Sequence, residues 1–345
     1  MLNIIRKNYI NHLRQLPIRE ESRIEEIAAI LNATKFSPAV VKEYIKKNVF
    51  YDSVFESYTL SPAYYAMTGR KSRWIYEKNG SAIVVCRHPN VPDILLAFPP
   101  LGDINILSDI VEEIPREYIQ DLHFCRVPVE LAEDYCREIN KKMPFCVRFK
   151  AVKEDVLDWL YPCCIISTFS VAKLRGGKFL DARNKYNQLT KNNEIRVEKL
   201  TTKLLNYNKK QFDSFLKRWE ENFDGGLLGA DDWSEPLFYM LRIYDDKEYN
   251  LDGTVVFCNG QMESVNIYEK PVFPGMPANF LVPFFNTEIK GLSEFVFIDI
   301  CKRLHAEGIA LLDIGGSETE GLDRYKRKFN PVSSRALCTI KLCKD

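Results

Sequence analysis

The sequence predicts an α+β protein built as two consecutive units of similar size, with a helical stretch in front. Three observations carry that prediction. The chain has 345 residues, and domains average roughly 100–200 residues, so two are expected. Asn79-Gly80 and Asn259-Gly260 each sit between strand-like runs, and Asn-Gly is a strong signal for an antiparallel hairpin. Each hairpin is accompanied by further strands and helices. No residue-level repeat is visible, so duplication rests on texture alone.

Residues 1–50 read as helical. Ile24, Ile27, Ile30 and Leu31 recur at helical spacing, as do Val40, Val41, Tyr44 and Ile45. Ser37-Pro38 is a start signal, serine as N-cap and proline at the first helical position. Lys42, Lys46 and Lys47 make too thin a basic face for DNA, so a support or docking element is expected.

Residues 51–165 form the first α+β unit. Trp74–Tyr76 and Ala82–Cys86 flank the first Asn-Gly turn, and Asp93–Phe98 is a third strand. Ile106–Ile114 and Glu130–Lys141 read as helices and Val147–Phe149 as a strand. Residues 166–345 form the second unit. Thr202–Phe223 is a helix, with Met240–Tyr244, Gly253–Cys258, Met262–Tyr268 and Ala278–Phe285 as strands. Pro283 implies a bulge or broken pairing in the last of these. Gly291–Ala306 is a helix, and Gly308–Ile314 and Arg335–Leu342 are strands.

Composition narrows the function classes. Forty-eight basic residues face 47 acidic ones, so no global field recruits nucleic acid or an anionic membrane. The ten cysteines and four histidines show no zinc spacing, and no metal site is expected. The thiols read as buried groups of a reducing compartment. The N-terminus lacks a signal-peptide run, and no stretch approaches the roughly 18 apolar residues of a membrane span. A soluble, cytoplasmic protein is expected.

Three local patterns bear on chemistry. Glu288-Ile-Lys290-Gly291-Leu-Ser293 joins a strand to a helix, and such a helix start suits phosphate. An ordinary turn looks the same. Gly315-Gly316-Ser317-Glu318-Thr-Glu320 precedes a helix with Tyr325, Lys326 and Lys328. Ser317 and Glu320 make a capping box, so the charge order also fits plain capping. Lys173, Arg175 and Lys178 surround Gly176-Gly177, and Arg183-Asn184 follow. That suits phosphate or carboxylate, or a solvated basic loop.

Together, and in chain order, Gly-Gly-Lys178-Phe with Arg183-Asn184, Phe285-Asn286-Thr-Glu-Ile-Lys290-Gly291-Leu-Ser-Glu294, and Gly-Ser317-Glu-Thr-Glu-Gly-Leu with Lys328-Phe-Asn-Pro331 resemble the phosphatidylglycerol lysyltransferase C-terminal-like family. The resemblance spans residues 57–345. It implies two tandem GNAT-like folds with mixed, mostly antiparallel sheets, residues 1–50 being an addition. In GNAT enzymes the element around Gly291 holds the pyrophosphate of acyl-coenzyme A, and the strands beside it splay into a donor slot. The family's characterised bacterial members move an aminoacyl group from aminoacyl-tRNA to an acceptor.

The resemblance thus implies an acyltransferase with no tightly bound cofactor. Its partners are a tRNA 3′ end and a small-molecule, peptide or lipid acceptor bearing an amine or hydroxyl. Glu318, Glu320, Tyr325 and Asn286 are the catalytic candidates, with Asn286, Glu318, Tyr325 and Lys326 lining one cleft. Lys178, Arg183, Asn184, Lys290, Gly291, Lys326 and Lys328 are the donor- or phosphate-binding candidates. Two other readings stay open: an acyl-coenzyme A-dependent N-acyltransferase, and a binding protein on the same scaffold.

Overall fold

A computed structural model describes residues 21–48, 57–89, 91, 93–143, 147–153, 158–222 and 230–344. Two compact units result. One comprises Met1–Val54, Thr68–Asp158 and Cys338–Asp345, the other Phe55–Met67 and Trp159–Leu337. The start of the N-terminal stretch and the expected helix end at Phe223 lie outside the described residues.

Strands of the first unit are β1 (Thr34–Lys35), β2 (Arg73–Lys78), β3 (Ser81–Arg87), β4 (Leu95–Ala97), β5 (Leu122–Pro128) and β6 (Val147–Val152). The second unit holds β7 (Cys163–Ser167), β8 (Ile195–Lys199), β9 (Leu251–Cys258), β10 (Gln261–Glu269), β11 (Ala278–Phe285), β12 (Leu311–Asp313) and β13 (Ser333–Arg335). The last strand is β14 (Leu337–Lys344).

Both sheets have seven strands, ordered β1-β2-β3-β4-β5-β14-β6 and β13-β7-β12-β11-β10-β9-β8. In each, four antiparallel strands lead to one parallel pair, β4 with β5 and β11 with β12. The fold is α+β with two tandem GNAT-like sheets.

The two units exchange their seventh strands. β7 follows β6 in the chain but lies between β12 and β13 of the second sheet. β14 follows β13 but lies between β5 and β6 of the first. Residues 55–67 also belong to the second unit. The expected border near 165 thus becomes an interleaving of segments.

Local chemistry explains most elements. Asn79 and Gly80 have φ 51° and 78°, as do Asn259 and Gly260, the two positive values a type I′ hairpin turn requires. Residues 21–48, expected to belong to an addition, are part of the first unit. Ile24, Ile27 and Leu31 lie in one core with Tyr76, Ile83, Val85 and Phe124, and β1 pairs with β2. The expected helix Thr202–Phe223 is two, Thr202–Tyr207 and Lys209–Asn222, parted at Asn208. Met240–Tyr244 forms no strand: Met240–Ile243 closes the helix Ala230–Ile243 and Tyr244 lies in the turn after it. Buried Leu237, Met240 and Tyr244 stand three and four apart, a helical period that five residues are too few to display. Among the described residues, no helix is long and apolar enough to cross a membrane.

Candidate functional site

β11 and β12 pair only at Ala278↔Leu312 and Asn279↔Asp313, then part toward the Lys290-Gly291 end. β11 continues along β10 to Ser264↔Phe285 with one irregularity between Ile267 and Tyr268. Asn286 donates its amide to the Glu263 carbonyl at 2.9 Å. By alternation Pro283 turns its ring nitrogen away from β10, toward the side where β12 has left. A missing N–H breaks no ladder bond there. The irregularity falls at Leu281, two residues before the proline.

The gap is filled from within the unit. Tyr58 donates its hydroxyl to the Phe280 carbonyl at 2.7 Å, and its ring meets Trp159 edge-on at 5.5 Å. Trp159 packs so tightly on the Gly315-Gly316 turn that a Cβ on Gly316 would lie 2.4 Å from its Cβ. The helix Pro62–Gly69 behind Tyr58 is tied down by Glu269, which accepts from the Ser61 hydroxyl and from the Ala63 amide at 3.0 Å. Register places Glu269 beside Asn279 and Asn279 beside Asp313, a row of polar side chains all buried at the closed end of the gap.

At the open end the chain turns through Gly291 (φ 89°) into the helix Leu292–Ala306. That turn is covered. A Cβ on Gly291 would lie 2.6 Å from the Lys185 carbonyl oxygen of the helix Leu180–Asn192. Glu294, buried in the first helical turn, supplies the negative charge that the dipole favours. It pairs with Lys185 at 3.0 Å and lies 3.8 Å from Lys328. Lys328 also bridges to Asp181 at 2.9 Å, and that hydrogen bond holds the Asp181 carboxyl below its usual value. Tyr325 packs edge-on against Phe297 and Phe329. Burial, and next the charge of Glu294, pushes its phenol well above the usual range.

A third cluster sits where β11 ends. Glu263 Oε2 accepts from Arg218 Nη2 and from Asn286 Nδ2, both at 3.0 Å. Gln211 accepts the Met262 amide at 2.8 Å, and the Trp219 and Phe284 rings lie 4.1 Å apart.

The expected site residues are therefore divided among several neighbourhoods. Asn286 belongs with Glu263 and Arg218, Tyr325 with the phenylalanines, and Lys326 with the Gly316 carbonyl. Glu318 is exposed. Asn286, Tyr325 and Lys326 thus take their contacts from three different sets of partners, and Asn286 and Glu318 follow strands whose pairing ends at Asn279↔Asp313. Lys326 is buried, and burial lowers its ammonium below the usual lysine value against the pull of Glu318. It braces the Gly-Gly turn rather than facing a phosphate. The helix Glu320–Arg327 is capped by Thr319, whose hydroxyl accepts the Leu322 amide. Ser317, two residues earlier, is not the cap, and Glu320 pairs on the surface with Arg324 at 2.7 Å. Arg183 donates to the Leu174 carbonyl at 2.8 Å and closes the helix Thr168–Lys173. Lys178, Asn184 and Lys290 are exposed, and Gly291 is buried.

Glu263 and Arg218 escaped the sequence reading. Their only signal was a carboxylate in a strand otherwise rich in buried residues. Among the described residues, no cluster of His, Cys, Asp and Glu is suited to hold a metal ion.

No protein-family model matches the sequence, and no curated protein matches it. The fold, in contrast, is shared with solved structures. A conserved protein of unknown function from Bacteroides thetaiotaomicron is 15% identical, with a TM-score of 0.69 over 90% of this chain and 99% of that one. L-PGS from Bacillus licheniformis is 14% identical, with a TM-score of 0.56 over 89% of this chain and 92% of that one. FemX is 11% identical, with a TM-score of 0.54 over 91% and 95%. The likeness to L-PGS agrees in fold with the resemblance drawn from the motifs.

Proposed function

We propose that the chain is an acyltransferase that takes an aminoacyl group from aminoacyl-tRNA and passes it to an amine or hydroxyl acceptor. The observation that carries the choice of donor is the Tyr58–Phe280 hydrogen bond. With Trp159 it fills the gap between β11 and β12 that a pantetheine arm would occupy. The Lys185 carbonyl over Gly291 and the internal carboxylate of Glu294 close the turn that would receive a pyrophosphate. Both features weigh against acyl-coenzyme A. An aminoacyl ester on an RNA 3′ end needs neither slot. It needs exposed cations for phosphate, and Lys178 and Lys290 are exposed. The resemblance to the lysyltransferase family and the fold shared with L-PGS support the same reading.

The test is a paired transfer assay. Purified protein is incubated with radiolabelled aminoacyl-tRNA and a panel of amine and hydroxyl acceptors, and in parallel with acetyl-coenzyme A and the same acceptors. Label moving to an acceptor from tRNA, without release of coenzyme A thiol, is the expected result. Thiol release would overturn the donor. Transfer from neither donor would leave the binding-protein reading.

A further inference from the structure

The geometry points to Glu263 Oε1 as the recognition point for a primary ammonium group on a substrate. The inference deepens the transfer reading and rests on it only for which substrate brings the amine.

Glu263 is held through its backbone and through one oxygen of its carboxylate. Its carbonyl accepts the Asn286 amide at 2.9 Å. The adjacent Met262 amide is fixed by Gln211 at 2.8 Å. Both donors to its carboxylate, Arg218 Nη2 and Asn286 Nδ2, converge on the same oxygen, Oε2, each at 3.0 Å. Oε1 accepts no hydrogen bond among the described residues, although the side chain is only 10% exposed.

A carboxylate has lone pairs for about four hydrogen bonds. Here two are used on one oxygen and the other oxygen is left open in a fixed direction. Had the cluster served only to anchor β10 on the helix Lys209–Asn222, the arginine fork would take both oxygens, as bidentate Arg–carboxylate pairs commonly do. Instead Arg218 uses one nitrogen on Oε2 and turns toward the Met262 carbonyl at 3.3 Å. The group that fits Oε1 is a compact donor carrying positive charge, and a primary ammonium has three donors and no acceptor. Trp219, next in the chain to Arg218, and Phe284, two residues before Asn286, have their rings 4.1 Å apart, the apolar and π surface that ammonium groups also favour.

Two substrates could bring that ammonium: the α-amine of an aminoacyl ester or the amine of an acceptor. Binding of L-alaninamide, N-acetyl-L-alaninamide and ethanolamine, measured by calorimetry on the full chain, separates them. Alaninamide mimics the aminoacyl end and ethanolamine a simple acceptor. At least one of these cationic probes should bind, and acetylated alaninamide should bind at least about tenfold more weakly. Whichever cation binds tighter names the source. Glu263→Gln should abolish the preference for charge. Arg218→Met, which keeps the carboxylate, should retain it, whereas a merely structural role would lose binding in both variants alike. Equal binding of the charged and acetylated amides, binding of neither cation, or an unaltered preference in Glu263→Gln would overturn the proposal. Should Glu263→Gln not fold, Glu263→Asp serves, with weaker binding expected as the carboxylate retracts and unchanged affinity overturning it. Ammonium binding without transfer from aminoacyl-tRNA would fault the proposed function alone. Transfer without ammonium binding would fault this inference alone.

Discussion

The first sheet and the second share one strand order but differ at the end of their parallel pair. In the first, β4 is only three residues long. Its continuation swings back to β3, with the Phe98 amide on the Val84 carbonyl at 3.0 Å and Leu101 and Ala82 exchanging bonds at 3.1 and 2.7 Å. Phe98 and Leu101 are buried, and Ser81 takes the Asp103 amide at 2.8 Å. In the second, β11 runs eight residues and ends among Asn286, Glu263 and Arg218. The strand at the corresponding place thus ends among apolar side chains in one copy and among polar ones in the other. Chemistry follows side chains at strand ends, not the strand order itself.

The comparison can be broken at four points, from the largest effect to the smallest. Ending the chain before Leu337 removes β14 from the middle of the first sheet. Leu337, Cys338 and Ile340 are buried there. At about 1.5–3 kcal/mol for each large apolar side chain, the loss approaches the whole stability of a domain, about 5–15 kcal/mol. The first unit should unfold, seen as lost strand signal in circular dichroism; a native-like spectrum would mean that β14 is dispensable.

Gly316→Ala drives a methyl against Trp159. Overpacking of this kind costs about 1–3 kcal/mol, and urea unfolding should register it. The counterpart in the first unit is the hairpin residue Gly80. A Cβ there meets nothing within 4 Å but sits at φ 78°, so Gly80→Ala should cost about 1 kcal/mol. Equal losses would mean that Trp159 yields freely.

Tyr58→Phe leaves the Phe280 carbonyl without its buried donor, a loss of about 1–3 kcal/mol. If the variant also gains measurable binding of coenzyme A in a thermal shift, Tyr58 is the group that closes the donor gap. If stability does not change, the hydroxyl is not what holds the gap shut.

The smallest effect is at acid pH. Burial alone would raise the Asp252 carboxyl, but Lys270, at 2.9 Å, and the Gly253 amide, at 2.8 Å, more than offset this and hold it below its usual value of 3.8. A depressed carboxyl contributes stability above its unfolded value and loses it as pH falls through the lower folded value. Asp252→Asn should therefore flatten the stability profile in the acid window that opens about one pH unit above the unfolded value of 3.8 and runs down through the lower folded value. A profile unchanged in that window would remove Asp252 from the acid response.

Much of the fold is legible in the sequence, and particular residues explain where it is not. Asn79-Gly80 and Asn259-Gly260 named both hairpins, because only a few residues tolerate positive φ twice in succession. Pro283 implies a bulge or broken pairing, and the strand does carry an irregularity, at Leu281. β7 went unread because Cys163-Cys-Ile-Ile, buried on both faces, has no alternation. Thr319 took the cap expected of Ser317, since Ser317 is held in place by its backbone pairing with Tyr161. Tyr325, Lys326 and Lys328 were legible as charged and aromatic groups on one helix, but not the direction in which each would point. Glu263 could not be singled out, because its partner Arg218 lies on a separate helix and nothing local links the two.

The exchange of seventh strands also sets a clock on synthesis. The first sheet has β1 to β6 in hand once Val152 has been made, yet β5 and β6 stay unjoined until Leu337–Lys344 emerges. At 5–20 residues per second that wait is roughly ten to forty seconds. During it two neighbouring strands present open edges, which are templates for wrong pairing. The nascent chain thus has a window in which a ribosome-associated chaperone would matter more for the part made first than for the part made last.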